Sequence, residues 1–527
     1  MGRFTIEEDR PTPPEVYSWR PYLFAMIASL GAMLYGYDSA FIGGTLALSS
    51  FREEFGINTD NAAALSANIV STYQAGAAVG ALLAFPFCDR FGRKITVLVA
   101  GYTFTAGAAI HFASHSGTGL GGIYAGRVIG GLGVGMISLV VPIYLAEISP
   151  PAIRGRLTGL YELLLQIGGL IGFWINYGVT QHVPYGAAQW RIPIGVQLIP
   201  GGLLCIVGFF LVESPRWLRA RGLREEAEAV LAKLRNLPSG HQYMVEEWAL
   251  VDDQLAIEEE KVGTGKGAFI ARLRELTLPG IRNRLGICFM LFLFQNATGI
   301  NAINYYSPTV FKSVGITGTN TSLLTTGVFG VIKTTTTLIW LLFLIDNLGR
   351  RRLFLFGAAG AAFCMLYVAL IIRVTNPSGT GSDGIKPSGI SAVAFLFIWT
   401  AIYGPTWNGT PWCYCAEVFP QHVRAIAQSL LSFSQWLWQF AIARATPYMF
   451  RDMHAYGPFF FFGSATILAF IFVFFAVPET KGLPIERMDE IFGTPKDLPH
   501  VRDVEMQKQQ DYRLEHSSQD VETKAST

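Results

Sequence analysis

Twelve times along its 527 residues this chain runs apolar for the roughly 20 residues that a helix needs to cross the hydrocarbon of a bilayer. The runs fall near 21–44, 66–87, 95–114, 122–145, 155–178, 191–212, 284–311, 321–345, 353–373, 390–415, 425–449 and 456–477. Hydrocarbon offers the backbone no hydrogen bonds, so each run is expected to span as a helix. They form two sets of six, with a hydrophilic stretch of both charge signs between them (EEAEAVLAKLRNL, VEEWALVDDQLAIEEEK). The expected division is a segment 1–20, a six-helix bundle over 21–212, a linker of short helices over 213–283, a second bundle over 284–478 and a tail over 479–527. Composition agrees: 15% of residues are charged, against about 25% in a soluble domain. The lipid bilayer is thus the first partner.

Other classes find little support. The N-terminus has no basic region followed by a short apolar core, so the first helix is expected to be retained as a signal anchor. Lys and Arg are not interleaved with aromatics, and no nucleic-acid partner is expected. Cys413 and Cys415 form CxC, a poor zinc spacing, and His111 and His115 lack a ligand set, so neither metal nor cofactor is expected. The run GLGVG at 131–135 is like part of a nucleotide loop but lies inside a span, and no enzyme signature remains.

Lys and Arg in short connections set orientation. Arg90, Arg93 and Lys94 follow the second span, Arg154 and Arg156 the fourth, Arg350–Arg352 the eighth and Arg424 the tenth. Loop 179–190 has neither residue type and 374–389 has Lys386 alone. Both termini are therefore expected in the cytoplasm, with Asn320 in an outside loop as a candidate glycan acceptor. The halves repeat: DRFGRK returns as DNLGRR, EISPPAIRG as EVFPQHVRA and ESPR as ETKG, each about 260 residues further on, which implies pseudo-symmetric bundles with a site between them near mid-membrane.

Polar residues inside the spans locate that site. In FLFQNATGINAINYYSP, residues 292–308, the side chains of Gln295, Asn296, Thr298, Asn301 and Asn304 interrupt an apolar helix weakened by Gly299. An unpartnered amide in hydrocarbon costs about 2–7 kcal/mol, so the run must face protein or a wet cavity. Amides and aromatics suit a ligand rich in hydroxyls, and interhelical glue is the alternative. Asp38 lies well inside the first span, where a charge costs about 2.5–3.5 kcal/mol, and Arg127 in the fourth is its expected partner. An Asp that alternates between an Arg-paired ionised form and a protonated form carries protons; a static ion pair is the alternative. At the helix ends, Asp89 with Arg93, Glu147 with Arg154, Asp346 with Arg350 and Glu417 with Arg424 are the expected ion pairs. Exposed pairs contribute only about 0–1 kcal/mol each, but a network present in one conformation alone biases an equilibrium. Tyr305 and Tyr306 suit an external gate, and Gly404, Pro405 and Pro411 a hinge.

These motifs, together with GYDSAFIGGTL, GFWINYG, NATGINAINYYSPTVFKSVGITG and WNGTPW, resemble the sugar porter family of the major facilitator superfamily over about 20–493, and within it the fungal quinate permease branch. The resemblance implies an all-α fold of twelve transmembrane helices in two pseudo-symmetric six-helix bundles. It implies import, through a plasma membrane, of a small polyhydroxylated acid such as quinate or galacturonate with protons, by alternating access and as a monomer. Asp38 and Arg127 then couple protons, and Glu213 joins the network that latches the outward-facing state. By the same resemblance Gln295, Asn301, Trp412, Gln435 and Gln439 line the substrate, with Asn296 where a second Gln is usual. Two positions depart from the family. Glu162 stands where a Gln is usual, and Lys333 where an Asn is usual, with Thr334 as a rival for that place. An ammonium and a carboxylate have replaced neutral amides, so Lys333 is expected to receive a substrate carboxylate that Glu162 replaces when the site is empty. Mutual pairing, a second proton site at Glu162 and a snorkelling Lys333 stay open, as do a neutral hexose or pentose substrate, uniport and nutrient sensing.

Overall fold

The structure, a computed structural model, describes residues 12–262, 266–316, 318–344, 348–376, 386–481 and 492. Twelve long helices run through it: α1 Trp19–Ala47, α2 Ala62–Phe91, α3 Arg93–Ala113, α4 Leu120–Ile148, α5 Arg154–His182, α6 Ala187–Phe210, α7 Pro279–Ser313, α8 Thr319–Leu344, α9 Arg350–Thr375, α10 Pro387–Glu417, α11 Gln421–Asp452 and α12 Gly457–Ala476. Eleven of these are both long and apolar enough to cross a bilayer. The exception is α11, which at 32 residues is ample in length. Gln428, Ser432, Gln435, Gln439 and Arg444 dilute its apolar character, because one face of it belongs to the site.

Within the first half α1 lies along α5, and α4 packs against both α2 and α3. The Gly-rich run of α4 is what allows this: a Cβ on Gly131 would fall 2.1 Å from the Tyr73 carbonyl oxygen. The run at 131–135 is thus a helix-packing surface, where small residues let backbones approach. In the second half α9 packs on α12 and α10. The halves meet mainly through α2 with α11, through α5 with α8, and through α1 with the second part of α7. The first two seams exchange under the six-helix repeat, the packing counterpart of the doubled motifs.

Two of the helix breaks lie next to the site. In α7 the first segment ends at Ala297, Gly299 adopts a left-handed conformation (φ +98°), and helix resumes over Ile300–Ser313. Gly is the residue that tolerates that φ at no steric cost. In α10 the turns widen over Gly404–Asn408 before Thr410–Glu417 continues, as the Gly-Pro pair predicts. Such breaks inside a membrane protein expose backbone groups, which is tolerated only where protein or a wet cavity receives them.

The Arg-bearing loops and the linker share one end of the bundle, here called the basic face. Linker helices Pro215–Ala220, Arg224–Arg235 and Gln242–Val262 are tied to the first half: Arg235 donates to the Ile148 carbonyl at 2.8 Å, and Trp217 and Arg221 donate to the Asp89 carbonyl at 2.9 and 2.6 Å. Val16 joins Leu218, Leu231 and Met244 in a small apolar cluster that holds the N-terminal segment to the linker.

Candidate functional site

One large cavity, about 1920 Å³, lies between the halves. Its walls include Glu162 and Gln166 of α5, Gln295, Asn301 and Asn304 of α7, Lys333 of α8, Asn408 and Trp412 of α10, and Gln435 and Gln439 of α11. Farther out the same cavity is lined by Arg93, Glu147, Arg154, Arg350, Glu417 and Arg424. It therefore opens from the middle of the molecule to the basic face. The other end is shut: Tyr305 donates to Ser39 across the halves at 3.3 Å, Gln439 donates to the Tyr305 hydroxyl at 2.6 Å, and Tyr306 donates to the Ala443 carbonyl at 2.9 Å. Arg444 of α11 bridges to Asn68 of α2 at that end.

The α7 break builds one wall. Gln295 donates through one amide nitrogen to the carbonyls of Trp407 and Asn408, at 2.9 and 2.7 Å, satisfying groups that the widened turn of α10 releases. Its own carbonyl oxygen is buried with no partner. Asn296 stands behind the wall and does not line the cavity. It is fully buried, donates to Phe292 and to Gln435 Oε1 at 2.7 and 2.6 Å, and accepts from Asn301. Its amide is consumed in fixing the rotamers of two residues that do face inward. Trp412 presents its indole to the cavity, braced edge-to-face by Phe292 at 4.8 Å between centroids.

Glu162 and Lys333 face the same space. A single oxygen of Glu162 accepts from Gln166 at 2.7 Å and from Asn408 at 2.8 Å. Lys333 donates to Asn304 Oδ1 at 3.5 Å and lies within electrostatic reach of Glu162 without forming a salt bridge to it. Thr334 also lines the cavity, though its hydroxyl contacts the Gln166 carbonyl at 3.5 Å. The bond from Asn408 to Glu162 joins the two halves, and nothing in the sequence assigned it. The place of Asn408 in WNGTPW, at the end of the widened turns of α10, is the signal that was available.

Asp38 and Arg127 are brought together as expected but away from the cavity. Arg127 Nη1 donates to both carboxylate oxygens of Asp38 at 2.9 Å, and its Nε to the Ile69 carbonyl at 3.1 Å. The guanidinium lies over the Tyr73 ring at 4.5 Å, and Arg127 and Asp38 are 1% and 2% exposed. Neither faces lipid.

At the basic face the pairing differs from the expected one. Arg93 engages Glu147 through two bonds of 2.8 and 2.7 Å, not Asp89, whose side chain is exposed. Glu147 is therefore held by Arg93 where Arg154 was expected. Glu417 is held by Arg350 at 2.7 Å, and the Arg424 guanidinium donates to the Phe419 carbonyl at 3.1 Å. Asp346 lies outside the described residues. Glu213 accepts from the backbone N–H groups of Arg93, Lys94 and Ser214 at 2.8–3.2 Å. Burial pushes its carboxyl up and those donors pull it down. Glu479 plays the same part in the second half, accepting from Arg350 N–H at 2.9 Å; the ESPR and ETKG echo marked it, although no role was assigned. The helix start, not the sequence neighbour, decides the partner: Glu213 caps the N-terminus of α3 and Glu479 that of α9, where the first N–H groups are unpaired. Among the described residues no group of three or more His, Cys, Asp or Glu could hold a metal.

A split twelve-helix bundle with a polar cavity at its mid-plane defines a major facilitator transporter. The family model described as "Sugar (and other) transporter" matches residues 24–492, and the chain belongs to that family. It is 52% identical over 495 residues to a probable quinate permease of Aspergillus fumigatus, covering 93% of this chain and 91% of that one. It is 51% identical over 496 residues to the quinate permease of Emericella nidulans, covering 93% and 92%. Among solved structures it is similar to the proton:xylose symporter XylE bound to 6-bromo-6-deoxy-D-glucose, with TM-score 0.74, 25% identity and coverage of 90% and 99%. A partially occluded, inward-open XylE from E. coli gives TM-score 0.72 at 26% identity, covering 88% and 99%.

Proposed function

We propose that this protein imports a small polyhydroxylated carboxylate, quinate or a sugar acid of like chemistry, together with protons, by alternating access. The observation that carries the substrate is identity of about half, over nearly the whole length, with fungal quinate permeases. The cavity's chemistry supports it. Lys333 offers an ammonium to a carboxylate, Glu162 is its counter-ion in the empty site, and Gln295, Asn301, Gln435 and Gln439 bring to the cavity amides of the kind that pair with ring hydroxyls. Trp412 supplies a flat apolar surface for the C–H face of the ring.

The basic face is the cytoplasmic one in this reading, by its Arg and Lys content, so both termini lie in the cytoplasm of a plasma-membrane protein and the structure is inward-open. Asp38 takes a proton while the outer side is open. The Arg-paired Asp38 seen here is the arrangement expected once that proton has left. The ion pairs Arg93–Glu147 and Arg350–Glu417 each stay within one half, so in this conformation they leave the inner mouth open; closing that mouth brings the two clusters together and lets Arg154, Arg424 and Asp89 re-pair across it. The working unit is a single chain.

Uptake of radiolabelled quinate into proteoliposomes under an inward proton gradient tests the proposal, with unlabelled galacturonate and glucose as competitors. Accumulation above equilibrium that quinate displaces and glucose does not is the expected result. Equilibration without accumulation makes the protein a uniporter, no flux makes it a sensor, and displacement by glucose alone makes its substrate a neutral hexose.

A further inference from the structure

Asp38 and Glu162 are the two acids that lie well inside membrane helices among the described residues; Asp89, Glu147, Glu417 and Asp452 sit at helix ends. Their settings differ in one decisive respect. Asp38 is sealed with Arg127 inside the first half, whereas Glu162 faces the cavity and links the halves through Asn408. The groups around Glu162 are Gln166 on its own helix, Lys333 of α8, Asn408 and Tyr403 of α10, Tyr35 of α1 and the adjacent Tyr161. One ammonium therefore serves this end of the cavity, and with the site empty Glu162 balances it.

Resting on the reading that the substrate is a carboxylate, we propose that Glu162 is a second proton carrier, so that each substrate anion enters with two protons. The charge count carries this. When an anion arrives at Lys333, two carboxylates share one ammonium at close range, and carboxylates so placed do not both stay ionised. A proton from the outer solution adds to the Glu162 carboxylate, the loaded site becomes neutral, and the halves rock. On the inner side the anion leaves, Glu162 releases its proton to the cytoplasm and returns to balancing Lys333. The Asn408 bond makes this step sensitive to conformation, because its donor moves with the opposite half. With the proton on Asp38, one cycle moves two protons and one anion, a net single positive charge inward. Coupling through Asp38 alone is electroneutral.

The experiment is a null-flux measurement on purified protein in proteoliposomes at equal pH on both sides, loaded with radiolabelled quinate at ten times the outside concentration. The potential is set with potassium and valinomycin. For a net charge of one, an inside-negative potential of about 60 mV offsets a tenfold substrate gradient, since about 60 mV corresponds to a factor of ten. The expected result is that efflux stops near that value in the wild type and that no potential stops it in Glu162→Gln. Efflux indifferent to potential in the wild type overturns the proposal, as does an unchanged null potential in Glu162→Gln. Should Glu162→Gln be inert, the wild-type null potential still decides the stoichiometry, and Glu162→Asp must keep it. A wild type that carries no quinate at all sinks the substrate reading, a different outcome from potential-indifferent quinate flux.

Discussion

Asp38 and Arg127 form a buried ion pair whose partners cannot be removed singly at low cost, because the survivor is left charged and unpaired; that loss is about 3–5 kcal/mol in buried pairs. Asp38→Asn keeps the shape and one of the two oxygens that accept from Arg127 while removing the titrating group. It is expected to retain exchange of internal for external substrate and to lose accumulation driven by a pH gradient. Undiminished accumulation in that variant rules Asp38 out as a coupling site. Lys333→Asn, which restores the amide usual in the family, removes a charge-assisted bond of about 1.5–3 kcal/mol. Half-saturation for quinate should rise about tenfold or more, with uptake of neutral sugars gaining relative to acids; equal losses for both would deny Lys333 a role in recognising charge. The sequence disclosed both residues for one reason: a charge in a span is expensive and stands out. It could not disclose that Asn296 turns its amide to Gln435 and Asn301, since an amide on a polar helix face looks alike whether it meets substrate or another amide.

At the scale of elements, helix contact in this protein depends on backbone approach more than on large apolar side chains, because in lipid there is no hydrophobic drive between helices. The α1–α5 crossing shows it. A Cβ on Gly36 would lie 1.8 Å from the Leu165 carbonyl oxygen, a backbone atom that cannot turn away as a side chain can. Gly36→Val should lower stability by about 1–3 kcal/mol or more by overpacking, read as a lower thermal midpoint in detergent and a loss of monodisperse protein. Gly178→Ala on the same α5, where nothing lies within 4 Å of the added carbon, should be neutral or slightly stabilising; similar losses in both would point to a general intolerance of α5 and away from this crossing. Helix number and rough bounds were legible from hydropathy, and the α7 and α10 breaks from Gly299 and from Gly404-Pro405. The broad polar face of α11 was harder to weigh, because a helix that lines a water-filled cavity departs from the pattern by which membrane helices are recognised.

The whole molecule is held in its present conformation by contacts at the end opposite the basic face. Arg444 reaches Asn68 and Ser71, Tyr305 meets Ser39, and the remaining seam carries Trp436 to Ser138 at 3.2 Å and Ser429 to the Ala81 carbonyl at 2.9 Å. Arg444→Ala removes the bond to Asn68 and the longer contact to Ser71, both of which opening on that side must break anyway. With a net bond worth of about 0.5–1.5 kcal/mol, the population open to the basic face should fall roughly two- to tenfold. Cys413 reports this directly: it lines the cavity and is half-buried, while the other five cysteines are buried. Its labelling by a small impermeant thiol reagent added at the basic face should slow by that factor, and an unchanged rate would mean that Arg444 does not discriminate between conformations.

By itself the sequence determined the number of spans, their grouping into two related sets, the charged end of the bundle and the residues too costly to leave in lipid, because those follow from the free energy of placing a given side chain or backbone in hydrocarbon, one segment at a time. The tertiary structure alone decided who pairs with whom: Arg93 with Glu147, Glu162 with Asn408, Asn296 with its neighbours behind the wall. Hydrogen bonds and ion pairs act over a few ångströms, so partners tens to hundreds of residues apart in the chain meet only once the helices have packed and one end of the cleft has closed.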